Sequence, residues 1–226
     1  MAKSERDKPR PLRTKKIAFW AVFWYYLIMS TNYFKSDTKY KKIVIKNTGA
    51  EAQIQNNVEF EESLFSNVNF AKVKISGFIF INSKIEKSNL SNIDLEGCYL
   101  KDGIVLDSKF TGANFVDGEF KNIKFNKSKM DLSCLRFACF NNVVFDDCVL
   151  AGADFQGAKL KNTSFINCDL KDVDFSQASF SRVDFSGSNI SGIKIDISNF
   201  KELTIDYSQA VYIASLLGLN IKLYEK

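Results

Sequence analysis

An unbroken five-residue period of apolar side chains constrains this chain more than any other feature. Every fifth residue from Phe60 to Ile205 is apolar, and these 30 positions hold 16 Phe, seven Leu, five Ile, Val105 and Met130. An amphipathic helix repeats at about 3.6 residues and a half-buried strand at about two, so neither regular element has this period. A fixed internal repeat of this kind predicts a solenoid, in which each unit buries its apolar side chain by stacking on its neighbours.

Two further periodicities complete the repeating unit. The position two residues before each apolar anchor is mostly small or apolar, as in Ala153, Ala158 and Thr163. The position two residues after each anchor is Gly, Asn or Asp at 19 of 29 sites, and these residue types favour turns. Each unit is therefore predicted to supply one large inward residue, one small inward residue and one corner.

Well-formed copies of this unit are ADFQG at residues 153–157, ANFVD at 113–117 and VDFSG at 183–187. They resemble the A-(D/N)-L-x-x consensus of the pentapeptide repeat family, and the resemblance covers residues 58–205. It implies an all-β fold, a right-handed quadrilateral β-helix with four pentads per coil. Residues 20 apart then stack in columns, and about seven and a half coils at roughly 4.8 Å each give a rod about 36 Å long.

A charge-free apolar segment precedes the repeat. Residues 17–34 hold both Trp of the chain and follow seven Lys/Arg residues. As a helix they would span roughly 27 Å, just enough for the bilayer hydrocarbon. We predict a hydrophobic N-terminal helix that anchors the chain in a membrane through Trp20, Phe23, Trp24, Tyr25, Leu27 and Ile28. A cleaved signal peptide, and a helix that lies flat on a membrane or caps the rod, are the alternatives.

The positive charge around this segment predicts its orientation. Seven Lys/Arg precede it and four follow within eight residues, which favours a single membrane pass with a cytoplasmic N-terminus. The repeat domain would then lie outside the cytoplasm, in a periplasm or lumen. The predicted organisation is a basic tail (1–16), the anchor (17–34), a linker with an N-terminal cap (35–56), the β-helix (57–206) and a C-terminal cap (207–226).

The C-terminal residues predict a short helix followed by a strand. Asp206 and Gln209 have the spacing of a capping box, apolar residues follow at helical spacing as far as Leu217, and Gly218 is placed to end the helix. Residues 219–223 alternate like a last strand. The family resemblance implies that such a C-terminal helix can also join two copies into a homodimer.

The composition excludes most catalytic chemistry. The chain has no His, so a Ser-His-Asp triad and a His-based metal site are excluded, and it contains no phosphate-binding glycine motif. The spacing of its five cysteines does not match a zinc site. We predict no enzymatic activity, no cofactor and no bound metal.

Apolar residues at outward positions predict where a partner would bind. The first such group is Leu132, Cys134, Phe137 and Cys139, and the second is Ile79, Ile81 and Tyr99. Most other outward positions are polar, and grouped apolar residues mark contact surfaces. We therefore predict a non-enzymatic, membrane-anchored scaffold, or a structural subunit of a membrane-associated assembly. It would bind other proteins of a membrane complex through apolar contact and would not bind nucleic acid.

The family resemblance offers two alternative functions. Some pentapeptide repeat proteins mimic duplex DNA and bind type II topoisomerases. The net charge of +5 includes +9 in residues 1–50, so residues 51–226 carry −4 with Lys and Asp mixed on the predicted faces. Such a rod is a poor polyanion. A secreted effector with a membrane-targeting N-terminus is the second alternative.

Overall fold

The chain winds into a parallel β-solenoid of about eight coils that ends in a short helix. The computed structural model describes residues 34–49 and 54–222. Strands pair in parallel with a constant offset of 20 residues, as in Thr38 with Val58 and Phe120 with Phe140. The predicted four-sided β-helix is confirmed, because an offset of four pentads places each corner above the same corner of the preceding coil.

Most of the paired strands lie on two adjacent faces, which we number in chain order from residue 38. The first face stacks β1 (Thr38–Lys41), β4 (Val58–Glu61), β7 (Ile79–Ile81), β9 (Tyr99–Leu106), β10 (Glu119–Asn126), β11 (Cys139–Asp146), β12 (Lys159–Ile166) and β14 (Ser179–Asp184). Strands β9 to β12 and β14 continue around a corner onto the second face. There they follow β2 (Val44–Lys46), β5 (Leu64–Ser66) and β8 (Lys84–Glu86), and β16 (Leu203–Thr204) pairs with the end of β14.

The third and fourth faces are joined mainly by single bridges. On the third face these run from Gly49–Asn69 to Asp169–Asn189. The fourth face has β3 (Ile54–Asn56) paired with β6 (Lys74–Ser76), and β13 (Asp174–Phe175) paired with β15 (Lys194–Ile195). Bridges through Asp94, Asn114, Cys134 and Asp154 connect these two pairs.

The apolar anchors form the core as continuous columns of rings. Phe120 and Phe140 stack with their ring centroids 4.8 Å apart. Phe145 lies between Phe125 and Phe165, at centroid distances of 4.9 and 4.7 Å. None of these five side chains is more than 2% exposed, which confirms the predicted columns. Such stacked pairs add about 0.5–1.5 kcal/mol each beyond simple burial.

Small polar side chains inside the rod satisfy backbone groups between coils. The Ser108 hydroxyl donates to the Leu106 carbonyl at 2.8 Å and accepts the Ser88 N–H at 3.1 Å. Cys148 stands 40 residues further along the same column, and its thiol donates to the Asp146 carbonyl at 3.5 Å. This cysteine therefore takes the place of a serine in a buried ladder.

Phe34 closes the N-terminal end of the core. Its ring lies 5.0 Å from that of Phe60, 5.5 Å from Phe70 and 5.9 Å from Tyr40, and the side chain is only 7% exposed. The prediction that Phe34 is the last residue of the membrane anchor is therefore wrong, because the end of the rod buries it. Residues 17–33 lie outside the described part of the chain. Within that part, no helix has the length and apolar character that crossing a membrane requires.

Side chains seal the C-terminal end of the rod. Elsewhere a corner N–H donates to the backbone carbonyl 19 residues later, as Asn57 does to Ser76 at 2.7 Å. In the last coil the acceptors are side-chain oxygens, in the pairs Gln177 with Asp196, Arg182 with Glu202, Gly187 with Asp206 and Gly192 with Tyr212. The edge that a further coil would need is thus already occupied.

At the C-terminal cap the predicted helix is present and the predicted strand is not seen in the described residues. Helix α1 (Tyr207–Leu216) begins with the predicted capping box between Asp206 and Gln209. A 3-10 helix (Ile197–Glu202) interrupts the last coil, so the final anchors Phe200 and Ile205 are only partly buried. The predicted last strand is wrong over its described residues, 219–222, which are exposed and irregular, and the Leu219 N–H donates back to the Ala214 carbonyl of α1 at 3.1 Å.

Candidate partner-binding surface

Two corners of the rod carry large apolar side chains on a backbone with positive φ. Every corner from Asn57 to Gly192 has a positive φ, which Gly, Asn and Asp adopt more readily than other residues. Among these described corners, residues 57–192, Leu132 (φ 56°) and Phe137 (φ 59°) are the only large apolar residues. This conformation costs an ordinary residue roughly 1–2 kcal/mol.

Both side chains remain largely exposed although they touch the next coil. Leu132 is 68% exposed and Phe137 is 50% exposed. A Cβ added at Gly152 would lie 2.9 Å from Leu132 Cδ2, and one added at Gly157 would lie 2.6 Å from Phe137 Cδ1. The two glycines therefore make room for the two apolar side chains, which rest on them and project from the rod.

Cys134 and Arg136 lie between these corners on the fourth face. We call Leu132, Cys134, Arg136 and Phe137 the corner patch. The Arg136 guanidinium donates to Gln156 Oε1, and its Nε lies 3.8 Å from Asp154 Oδ2. Its Cζ is 5.6 Å from the centroid of the Phe137 ring, within the range of a cation–π contact. Arg136 is thus held against the rod, and the two apolar side chains stand on either side of it.

The other predicted contact residues lie on the first face. Ile79 pairs in register with Tyr99, and Ile81 lies two residues along the same strand, so the structure brings these three together. Cys139 is in the same column as Tyr99 but two coils further on, just past the Phe137 corner. All four are only partly buried, yet none is exposed to the extent of Leu132. The predicted residues therefore form two separate groups.

The predicted membrane-contact residues Trp20, Phe23, Trp24, Tyr25, Leu27 and Ile28 all lie outside the described residues.

Sequence reasoning missed several exposed apolar side chains. Ile104 and Ile166 are 48% and 39% exposed on the second face, and Tyr207 and Val211 are 93% and 54% exposed on α1. The outward position of Ile104 and Ile166 in their pentads would have revealed the first two. The four-residue spacing of Tyr207 and Val211 would have revealed the second two. None of these four residues occupies a positive-φ corner.

The burial and grouping of the cysteines and carboxylates among the described residues decide whether they could act as nucleophiles or metal ligands. Cys98, Cys148 and Cys168 are buried, and burial raises the pKa of the Cys98 thiol, which keeps it protonated and weakly nucleophilic. Within residues 34–49 and 54–222, no group of three or more Cys, Asp or Glu side chains is placed to hold a metal ion.

A parallel four-sided solenoid with a ring-filled core and Gly, Asn or Asp corners defines a repeat protein of the β-helix class. A family model described as "Pentapeptide repeat region" matches residues 138–214, and "Pentapeptide repeats (8 copies)" matches residues 63–102 and 88–131. The chain belongs to the pentapeptide repeat family, whose members are generally structural or interaction proteins.

Solved structures of other pentapeptide repeat proteins are similar to this chain. QnrB1, a plasmid-mediated fluoroquinolone resistance protein, is 18% identical, with a TM-score of 0.39, and the match covers 80% of this chain and 100% of QnrB1. HetL, which is involved in heterocyst differentiation in the cyanobacterium Nostoc, is 14% identical, with a TM-score of 0.40 and coverage of 81% and 92%. A protein of the Arabidopsis thaliana thylakoid lumen is 19% identical, with a TM-score of 0.29 and coverage of 56% and 71%. No curated protein matches the sequence.

Proposed function

We propose that the rod is a protein-interaction module and that its partner binds the corner patch. The observation that carries this proposal is the presence of large, exposed apolar side chains at Leu132 and Phe137, on corners with positive φ. Every other described corner from Asn57 to Gly192 is Gly or polar, so the pentad itself does not require apolar residues there. A binding partner that covers them gives a reason for their cost, since covering a large apolar side chain is worth about 1.5–3 kcal/mol.

The experiment compares partner recovery by single-residue variants of the tagged full-length chain. Phe137→Asn and Leu132→Asn place a residue at each corner that accepts its backbone angle. Ile104→Asn, on the second face, is the matched control, because it removes a comparably exposed apolar side chain elsewhere. We expect the corner variants to lose the proteins that wild type recovers, and the control to retain them. Recovery of the same proteins by Phe137→Asn, with loss in Ile104→Asn, contradicts the proposal.

Attachment to a bilayer is a separate part of the proposed function. Residues 17–33 carry no charge and include both Trp of the chain, which supports membrane contact. With Phe34 buried in the rod, the uncharged stretch would span about 25 Å as a helix, at the lower limit for crossing a bilayer. Carbonate extraction of membranes tests this part. Full-length protein that appears in the high-speed supernatant without detergent would contradict it.

The DNA-mimic alternative is less well supported by the charges on the rod. Acidic side chains form ion pairs with Lys residues on adjacent coils, as in Lys74–Asp94 at 2.6 Å and Lys194–Asp174 at 3.0 Å. Such pairs reduce the negative field that a DNA-binding groove would recognise. The secreted-effector alternative differs from our proposal in location and leaves the corner patch as the contact surface.

A further inference from the structure

We infer that the partner of the corner patch is a protein segment in which a large apolar side chain is flanked on both sides by Lys or Arg. This inference rests on the proposed function, and it adds the chemistry of the partner. The excess of carboxylates over bases around the two apolar corners carries it.

The charge of the fourth face is uneven. Over the five coils centred on the corner patch, the face and its two corners carry six carboxylates and one base, Arg136. The carboxylates are Asp94, Glu96, Asp117, Asp154, Asp172 and Asp174. Lys74 and Lys194 form ion pairs with Asp94 and Asp174 from the two ends of this region. With Lys74 and Lys194 counted at its two ends, the face has six carboxylates and three bases, a net charge of −3.

Three of these carboxylates have no ion pair within the described part of the chain. Asp117 precedes Phe137 by one coil in the same corner column, and Asp172 follows Leu132 by two coils in its column. Glu96 precedes Arg136 by two coils. At roughly 4.8 Å per coil, exposed negative charge lies within about 10 Å of the apolar side chains on both sides along the rod. A segment bound over the corner patch would therefore contact apolar side chains at its centre and lie close to negative charge on both sides of that centre.

The same charges argue against two other occupants. Two copies that paired antiparallel through this face would bring the end that carries Glu96 in one copy opposite the end that carries Asp172 in the other, and like charges across an interface are unfavourable. An anionic membrane surface would be repelled for the same reason. A basic segment gains attraction from the flanks and burial from Leu132 and Phe137.

The test measures binding of the full-length chain to three synthetic peptides by fluorescence anisotropy. Each peptide has about 14 residues, which as a helix reach about 20 Å or four coils. The first carries Leu and Phe at its centre and two lysines on each side. The second replaces the lysines with glutamates, and the third replaces Leu and Phe with alanines. We expect saturable binding of the first peptide only, and its absence up to about 1 mM overturns the inference.

Matched variants of the protein separate the partner chemistry from the proposed function. Asp117→Asn with Asp172→Asn removes two flanking charges at corners where Asn is a common residue. Asp107→Asn with Asp147→Asn removes two charges from another corner column, as the control. We expect the first pair to weaken binding by a factor of about 1.5 to 5 per charge at low salt. The control pair should leave binding unchanged, and the difference should shrink at about 0.5 M salt.

Each other outcome contradicts a specific statement. If the two charge pairs weaken binding equally while Phe137→Asn abolishes it, the corner patch remains the site and the basic flanks are wrong. If Phe137→Asn leaves peptide binding and partner recovery unchanged, the proposed function itself is wrong. Self-association of the wild-type chain in sedimentation experiments that is lost in Phe137→Asn would identify a second copy as the occupant and overturn the inference.

Discussion

Replacing Phe137 by Asn should change the stability of the rod very little, even though it removes an entire aromatic ring. Two contributions oppose each other. The ring is 50% exposed, so its removal forfeits about half of the 1.5–3 kcal/mol that full burial would give, or roughly 1 kcal/mol. The backbone at φ 59° costs Phe roughly 1–2 kcal/mol, and Asn recovers part of that cost. The net change in the free energy of unfolding should therefore lie within about 1 kcal/mol.

The neighbouring Phe140 provides the contrast. It is 2% exposed and stacks on Phe120 with an interplanar angle of 5°, so Phe140→Ala should cost about 3–5 kcal/mol. Guanidinium denaturation and thermal denaturation, each followed by circular dichroism, measure the free energy of unfolding and the Tm of both variants. For a domain of this size, 1 kcal/mol corresponds to a shift of about 2–4 °C in Tm. A loss of more than about 2 kcal/mol in Phe137→Asn would show that the ring is a structural element, and the argument for a binding role would fail.

A double-mutant cycle with Gly157→Ala tests the contact directly. The alanine Cβ would lie 2.6 Å from Phe137 Cδ1, on a backbone with φ +69°. In wild type both the collision and the backbone angle are costly, whereas with Phe137→Asn only the backbone cost remains. We expect a coupling of about 0.5–3 kcal/mol between the two changes. Equal costs of Gly157→Ala in the two backgrounds would show that the ring does not rest on Gly157.

Three further changes test the rest of the rod. Phe145→Asp should abolish folding, because it buries an unpaired charge among stacked rings. A soluble variant with the circular dichroism spectrum and denaturation midpoint of wild type would disprove the core assignment. Gln209→Leu removes two hydrogen bonds of 2.7 Å to buried backbone carbonyls. It should lower the free energy of unfolding, measured by denaturation, by about 2 kcal/mol or more and speed hydrogen exchange in the last coil. Unchanged exchange there would argue against this capping role. Lys39 and then Lys41 lower the pKa of Glu61 from 4.5 to about 2. The stability from these ion pairs is therefore complete above about pH 4.5 and is lost as the pH falls through about 2, so the advantage of wild type over Glu61→Gln in denaturation should vanish near pH 2.

The sequence alone determined the coil, because the five-residue period acts locally. Each pentad states which side chain points inward and which residue turns the corner, and the family resemblance adds that four such units close one coil. The columns Phe120–Phe140 and Phe125–Phe145–Phe165 therefore followed from numbering. The C-terminal helix could also be predicted from the sequence, because a capping box and a terminal glycine are short-range signals.

The tertiary structure decided the ends and the surface, where contacts join residues that no local pattern relates. Phe34 continues an apolar segment in sequence, but its ring fills the open end of the core. The predicted last strand is absent over its described residues, 219–222, and the corner N–H groups of the final coil bond to Tyr212 and three carboxylates. Sequence singled out Leu132 and Phe137, and the 20-residue stacking placed a glycine next to each, but only the structure showed that both side chains rest on those glycines and remain largely exposed. The repeat determines which residues lie above and below each other in the rod. The size and charge of those particular side chains determine whether they pack together or stay exposed.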